Sequence, residues 1–168
     1  MDERIRQAVG DEPAWVVGGA LRDELLGREI VDVDVACADP ELAARLYSRL
    51  AGGAVFPLSE RHGAWRVAFR SGKTVDFTPL HGNSIEEDLA TRDFSVNAMA
   101  RSLGEEALVD PHGGEADLAA RRLRAVARSV FEDDPLRLLR AVRLEDELGF
   151  ELDDESEALA RASAGRVG

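Results

Sequence analysis

The sequence predicts an α+β fold, a small mixed sheet flanked by helices and followed by the start of a helical extension. Three observations carry this expectation. Short β-branched runs at 14–17, 31–35 and 74–77 have strand length and alternate apolar with other residues. Between them lie stretches with helix start and stop signals. Beyond about residue 130 the pattern turns helical, with a long helix expected from Asp134-Pro135. A chain of 168 residues, 45% of them hydrophobic, buries one core, so one compact domain is expected with the beginning of a second.

In chain order, a first helix is expected over 5–9, then a strand over 14–17 that breaks at Gly18-Gly19, then a helix over 20–26 ended by Gly27. The next strand, 31–35, reads Val31-Asp32-Val33-Asp34-Val35. Strand side chains alternate, so the valines point one way and Asp32 and Asp34 the other, about 6.6 Å apart along the strand. Asp39-Pro40 opens a helix whose apolar stripe is read as Leu42, Leu46 and Leu50, stopped by Gly52-Gly53. A hairpin follows, with arms at 64–70 and 74–77 joined by Ser71-Gly72-Lys73. Val75-Asp76-Phe77 repeats the acid between apolar neighbours and places Asp76 on the side of the first pair.

Ser84-Ile85-Glu86-Glu87 fits a capping box and starts a short helix toward Thr91-Arg92-Asp93. A small hairpin is expected at 98–101 and 107–109, then a helix over 115–121 and an extended stretch over 123–126. The Asp134-Pro135 helix runs to Leu148 and is closed by Gly149; a last helix begins near Asp154 and reaches Gly168 without a cap, so the chain looks cut there.

The net charge of −12 and pI near 4.7 argue against gripping nucleic acid through an overall field and for a soluble protein. All 21 basic residues except Lys73 are arginine, which reads as coding bias more than as phosphate recognition. The one cysteine, Cys37, has no internal disulfide partner and reads as an apolar filler. No apolar run has the length of a membrane span and the acidic start lacks a signal peptide's basic region, so no membrane is expected and the cytoplasm is the default. His62, His81 and His112 lack ligand spacing and read as loop residues, and Trp15 and Trp65 read as core.

Two carboxylates on one strand face repel each other, and a third nearby is unfavourable unless a cation sits among them. Oxygen-only ligands point to magnesium, with manganese as the alternative. Paired ions about 4 Å apart suit in-line phosphoryl transfer. Asp-x-Asp alone fits a solvated edge strand better. Gly18-Gly19 before a helix changes that balance, because phosphate oxygens can approach the bare backbone and the free amides behind it. Arg22, one turn in, reaches the same place or pairs with Asp23 or Glu29.

Four stretches in order, 17–23 (VGGALRD) with Asp32-Val33-Asp34, 88–100 (DLATRDFSVNAMA), 109–114 (VDPHGG) with Asp117-Leu118, and 131–143 (FEDDPLRLLRAVR), cover nearly the whole chain. Together they resemble the bacterial tRNA nucleotidyltransferase and poly(A) polymerase family, the class II CCA-adding enzymes of the polymerase β nucleotidyltransferase superfamily. The resemblance implies a polymerase β-like nucleotidyltransferase head over 1–130 and the beginning of a helical neck over 131–168.

It also implies roles. Asp32 and Asp34 would hold the two catalytic Mg2+ ions and Asp76 would be the third catalytic carboxylate. Gly18, Gly19 and Arg22 would meet the triphosphate; Arg92, Asp93 and Asn97 would serve phosphate and ribose. Asp134 and Arg137 would read the base, and Arg140 and Arg143 continue their face. Without the resemblance, Asp134 reads as a helix cap and Arg137 as a partner of Asp133. The implied substrate is ATP, with CTP open beside it, and the implied partner is RNA, a tRNA 3′ end, held mainly by a body and tail absent from this chain. Thr91 and Asp133 depart from the family's usual arginine and glutamate, and the short segment 77–87 leans toward an A-adding or poly(A)-type member. Two other readings stand beside this one, a catalytically silent nucleotide-binding head and a nucleotidyltransferase with a non-RNA acceptor.

Overall fold

The computed structural model describes residues 2–105 and 107–165. A seven-stranded mixed sheet runs through it in the order β3-β4-β5-β2-β1-β6-β7. Its strands are β1 (Ala14–Val17), β2 (Asp32–Cys37), β3 (Ala54–Ser59), β4 (Ala64–Ala68), β5 (Thr74–Pro79), β6 (Ala100–Ser102) and β7 (Leu108–Val109). β2 and β5 pair in parallel and the other neighbours antiparallel. A parallel pair needs a crossover, and α3 (Pro40–Ala51) with the β3–β4 hairpin supplies it.

The remaining helices are α1 (Glu3–Val9), α2 (Gly19–Leu25), α4 (Ile85–Ala90), α5 (Gly114–Ala119), α6 (Val130–Asp133), α7 (Leu136–Leu148) and α8 (Asp154–Ala164). A second, two-stranded parallel pair, β8 (Arg122–Leu123) with β9 (Glu151–Leu152), ties the α5 region to the chain after α7. The mixed sheet flanked by helices is the α+β architecture the sequence predicts. Residues 166–168, where the sequence looks cut, lie outside the described residues.

Alternation along β2 decides which face is which. Val35 and Cys37 join Val16, Phe77 and Tyr47 in the larger core cluster under α1 and α3, whereas Ala36 packs with Val17, Ile85 and Leu89 under α4. Asp32 and Asp34 share the α4 face, but toward the sheet end that α4 leaves open. The larger cluster continues without a break into the C-terminal helices through Phe94, Leu123, Phe131 and Leu144, with the Phe94 and Phe131 rings 6.2 Å apart.

Three expectations need correction. Of the expected α3 stripe only Leu46 packs on the core: Leu42 and Leu50 are 54% and 48% exposed, and the helix seats chiefly on Ala43, Ala44 and Tyr47. Small residues allow a close approach to the sheet, and Tyr47 fills the space with its ring 5.9 Å from Phe69 and 5.8 Å from Phe77. β3 escapes sequence reading because it is an edge strand with Pro57 inside it and with Phe56 and Leu58 exposed. The β4–β5 turn spans 69–73 rather than 71–73, closed by Phe69 N–H to Lys73 O at 3.0 Å and Gly72 N–H to Phe69 O at 3.0 Å.

Candidate active site

An open cleft of about 710 Å³ lies between the β1–α2 junction, the exposed end of β2, the α4 C-terminus and α7. Gly18, Gly19, Arg22, Asp32, Asp34, Arg92, Asp93, Asn97, Asp134, Arg137, Arg140 and Arg143 all line it. Asp76 is the one predicted site residue that does not.

The floor is the β1–α2 turn. Gly18 has φ 72° and ψ −138°, and a Cβ there would come 3.0 Å from Arg92 Nη1 and 3.6 Å from Asp34 Oδ2, so both conformation and space demand glycine. No side chain caps α2, which leaves its first amides to the cleft.

Beside it stand the carboxylates. Asp32 is exposed and accepts the Thr74 hydroxyl at 2.7 Å. Asp34 is half-buried and aligns with Val17 on one side and Asp76 on the other. Burial pushes the Asp34 carboxyl up from the usual carboxylate range; Asp76 and then Asp32 push the same way, while Arg92 and Arg66 pull back. Asp76 is 7% exposed and fully engaged by Arg66, Nε to Oδ1 at 2.7 Å and Nη2 to Oδ2 at 2.7 Å. Sequence reading missed Arg66, because a 71–73 turn would set Ala68 opposite Asp76, whereas the longer turn sets Arg66 there.

The opposite wall carries a relay of polar groups, buried except at Arg140. Arg140 Nε donates to Asp93 Oδ2 at 2.7 Å, Asn97 Nδ2 donates to Asp93 Oδ1 at 3.1 Å, and Arg22 Nη1 donates to Asn97 Oδ1 at 2.8 Å. Arg22 also pairs with Asp23, Nε to Oδ1 at 3.0 Å and Nη2 to Oδ2 at 3.1 Å, so it forms the ion pair and still faces the cleft. Arg92 is held by Asp88, with Nη2 to Oδ2 at 2.9 Å, and Asp88 also accepts the His81 N–H at 3.0 Å. His81, a loop residue as expected, thereby joins the cleft lining.

Just ahead of α7, Asp134, in extended conformation, accepts the Leu136 N–H at 3.0 Å, while its other oxygen lies 3.9 Å from Arg137 Nε. Arg137 does not pair with Asp133; it donates Nη2 to Thr91 O at 2.8 Å, and Asp133 accepts from Ser129 instead. Arg143 enters the cleft without an ion pair among the described residues. Arg28 and Glu147, which sequence reading passed over, complete the rim at 3.4 Å from each other. Their signal is weak because both read as ordinary exposed helix or loop charges.

His112 lies apart from the cleft with its Nε2 buried and unpartnered, and burial, then Arg124, push its imidazole down. Trp65 is core-packed with Arg45 4.8 Å over its ring, and Trp15 packs against the α4-side cluster, as expected of neither being a base platform. No helix among the described residues is long and apolar enough to cross a membrane.

An acid pair at one end of a mixed sheet thus faces uncapped amides and a rank of arginines across one cleft. A family model described as the poly A polymerase head domain matches residues 14–83 and 61–124, and the chain belongs to that family. It is 45% identical over 142 residues to the CC-adding tRNA nucleotidyltransferase of Geobacter sulfurreducens, covering 83% of this chain and 33% of that protein. It is 46% identical over 152 residues to the A-adding tRNA nucleotidyltransferase of Deinococcus radiodurans, covering 90% and 34%. The chain thus spans about a third of the length of these relatives.

Among solved structures it superposes on a tRNA nucleotidyltransferase complexed with a primer tRNA and an incoming ATP analog, with TM-score 0.82 and 32% identity over 98% of this chain and 50% of that one. The Thermotoga maritima CCA-adding enzyme complexed with tRNA gives TM-score 0.83 and 29% identity over 97% and 40%.

Proposed function

We propose that this chain is the catalytic head, with the start of a helical neck from residue 131, of a template-independent RNA nucleotidyltransferase. It transfers AMP or CMP from the nucleoside triphosphate to the 3′-hydroxyl of a tRNA, and pyrophosphate leaves. The observation that carries this reading is the placement of Asp32 and Asp34 on one wall of a cleft whose other walls are the uncapped α2 start and the Arg137, Arg140 and Arg143 face of α7.

The residues present fit divalent ions. Asp34 is crowded by two further acids and receives no hydrogen bond from any described residue, the setting a bound cation relieves. Among the described residues no group of three or more His, Cys, Asp or Glu forms a complete cage, so Asp32 and Asp34 would share Mg2+ with substrate oxygens. When bound, the ions supply charge neutralisation at the reacting phosphate.

The chain's own side chains do the rest. Gly18 and Gly19 admit the triphosphate to the α2 amides, with Arg22 and Arg92 beside it. Asp93, held by Arg140 and Asn97, would accept from a ribose hydroxyl. Asp134 and Arg137 offer an acceptor next to a donor fork for a base edge. Asp76 is the third carboxylate of the row. The reading places the protein in the cytoplasm.

Relatives that add only CC and relatives that add only A share this head, so the nucleotide is decided by experiment. The test is incubation with Mg2+, tRNA lacking its 3′ end and each nucleoside triphosphate separately. Incorporation of AMP or CMP, absent with UTP and GTP, is expected; pyrophosphate release without extension of the RNA would point to a different acceptor.

A further inference from the structure

One rung of the sheet holds three charged side chains in a row. Asp34 of β2 is in register with Asp76 of β5, and Asp76 is in register with Arg66 of β4. Register partners on adjacent strands point to the same face, so acid, acid and guanidinium stand side by side. The last two are locked by the two 2.7 Å bonds, which use both oxygens of Asp76.

The Asp76 side chain is 11% exposed and that of Arg66 33%, so the pair is largely shielded, the carboxylate more than the guanidinium. A fork-on-fork pair in that setting has little freedom, and each oxygen of Asp76 already accepts one charged donor.

We infer that Arg66 is the resident counter-cation of the carboxylate row, holding Asp76 out of the ligand set so that a divalent ion is bound by Asp32 and Asp34 alone until Arg66 is displaced. The inference rests on the metal reading above and adds to it a residue that tunes the site. Arg66 is a positioning residue, since it touches Asp76 and not the substrate. Its charge serves two ends. It offsets an otherwise unfavourable file of acids in the metal-free protein, and it weakens the same acids' hold on a divalent ion.

The size of the second effect follows from Coulomb's law. A guanidinium about 7.5 Å from a divalent ion, one strand spacing plus a hydrogen bond, weakens its binding about sixfold even at water's dielectric constant, and more in the partly shielded rung. Removing the charge therefore tightens metal binding.

The experiment measures free Mn2+ by electron paramagnetic resonance during titration of the nucleotide-free protein, for wild type, Arg66→Gln, Arg66→Lys and Asp34→Asn. Arg66→Gln is expected to bind Mn2+ about sixfold more tightly or better, and Arg66→Lys, which keeps the charge, to stay within about threefold of wild type. In the metal-free protein, an arginine Nε–H resonance protected from exchange and missing in Arg66→Gln would report the locked pair. Unchanged or weaker Mn2+ binding by Arg66→Gln, with binding abolished in Asp34→Asn, overturns the role of Arg66 and leaves the metal site standing. Full binding by Asp34→Asn overturns both. Should Arg66→Gln fail to fold, Arg66→Met, which retains the stem, carries the same expectation.

Discussion

Asn97→Ala cuts the relay that joins the two sides of the cleft. Asn97 is 6% exposed and makes two bonds, one accepted from Arg22 Nη1 at 2.8 Å and one donated to Asp93 Oδ1 at 3.1 Å. Each partner is charged, and hydrogen bonds to charged groups contribute about 1.5–3 kcal/mol apiece. The upper sum is about 6 kcal/mol, a large part of the roughly 5–15 kcal/mol that holds a domain folded.

Two features lower it. Arg22 keeps Asp23, Asp93 keeps Arg140 and the Phe94 N–H at 2.8 Å, and Arg22 borders the cleft, where water can replace the lost carbonyl. The expected loss is therefore about 2–3 kcal/mol. Urea unfolding followed by circular dichroism reads it as a lower midpoint at an unchanged slope. Calorimetric binding of ATP or CTP with Mg2+ should weaken as well, because Arg22 loses the partner that fixes its direction. A stability change below about 0.5 kcal/mol would refute the claim that Asn97 bridges two charged groups in a water-poor setting.

Two further outcomes test the packing and the electrostatics. Leu144→Ala, at a site 2% exposed, should cost about 2–5 kcal/mol in the same assay, whereas Leu139→Ala, at a site 69% exposed on the same helix, should stay within about 0.5 kcal/mol; equal costs would mean that α7 is turned differently on the core. Asp2 is held down to about 2, chiefly by its hydrogen bond from Arg4, against burial that works the other way. A lowered carboxylate adds stability above its unfolded value near 3.8 and loses it as the pH falls toward about 2. After allowance for solvent screening this is about 1 kcal/mol, so Asp2→Asn should cost that much at pH 7 and flatten the stability loss between pH 4 and 2. An unaltered acid limb in thermal melts would count against the assignment.

What the sequence disclosed depended on how local the cause was. Asp32 and Asp34 share a face because strand alternation is a one-residue rule, and the glycines before α2 declare themselves by position. Asp134 and Arg137 do not share a helix face as their spacing suggests, because Asp134 is extended and lies ahead of α7. Arg66 was invisible because its place opposite Asp76 is set by two extra turn residues, and a hairpin's register cannot be read from its arms. Leu42 and Leu50 of α3 misled because periodicity marks an apolar stripe without saying whether a smaller residue seats closer; Ala43 and Ala44 do. The relay from Arg140 to Arg22 links residues far apart in sequence, and only the tertiary fold brings them together.

The central claim is that the Asp32 and Asp34 pair drives nucleotide transfer. Its most direct test is the Mg2+-dependent addition of labelled AMP or CMP to tRNA lacking its 3′ end, comparing wild type with Asp34→Asn at matched melting temperature. The expected result is addition by wild type and a loss of at least about a hundredfold in the variant, the scale on which removal of one transition-state partner is felt. Transfer by Asp34→Asn at the wild-type rate would contradict the assignment.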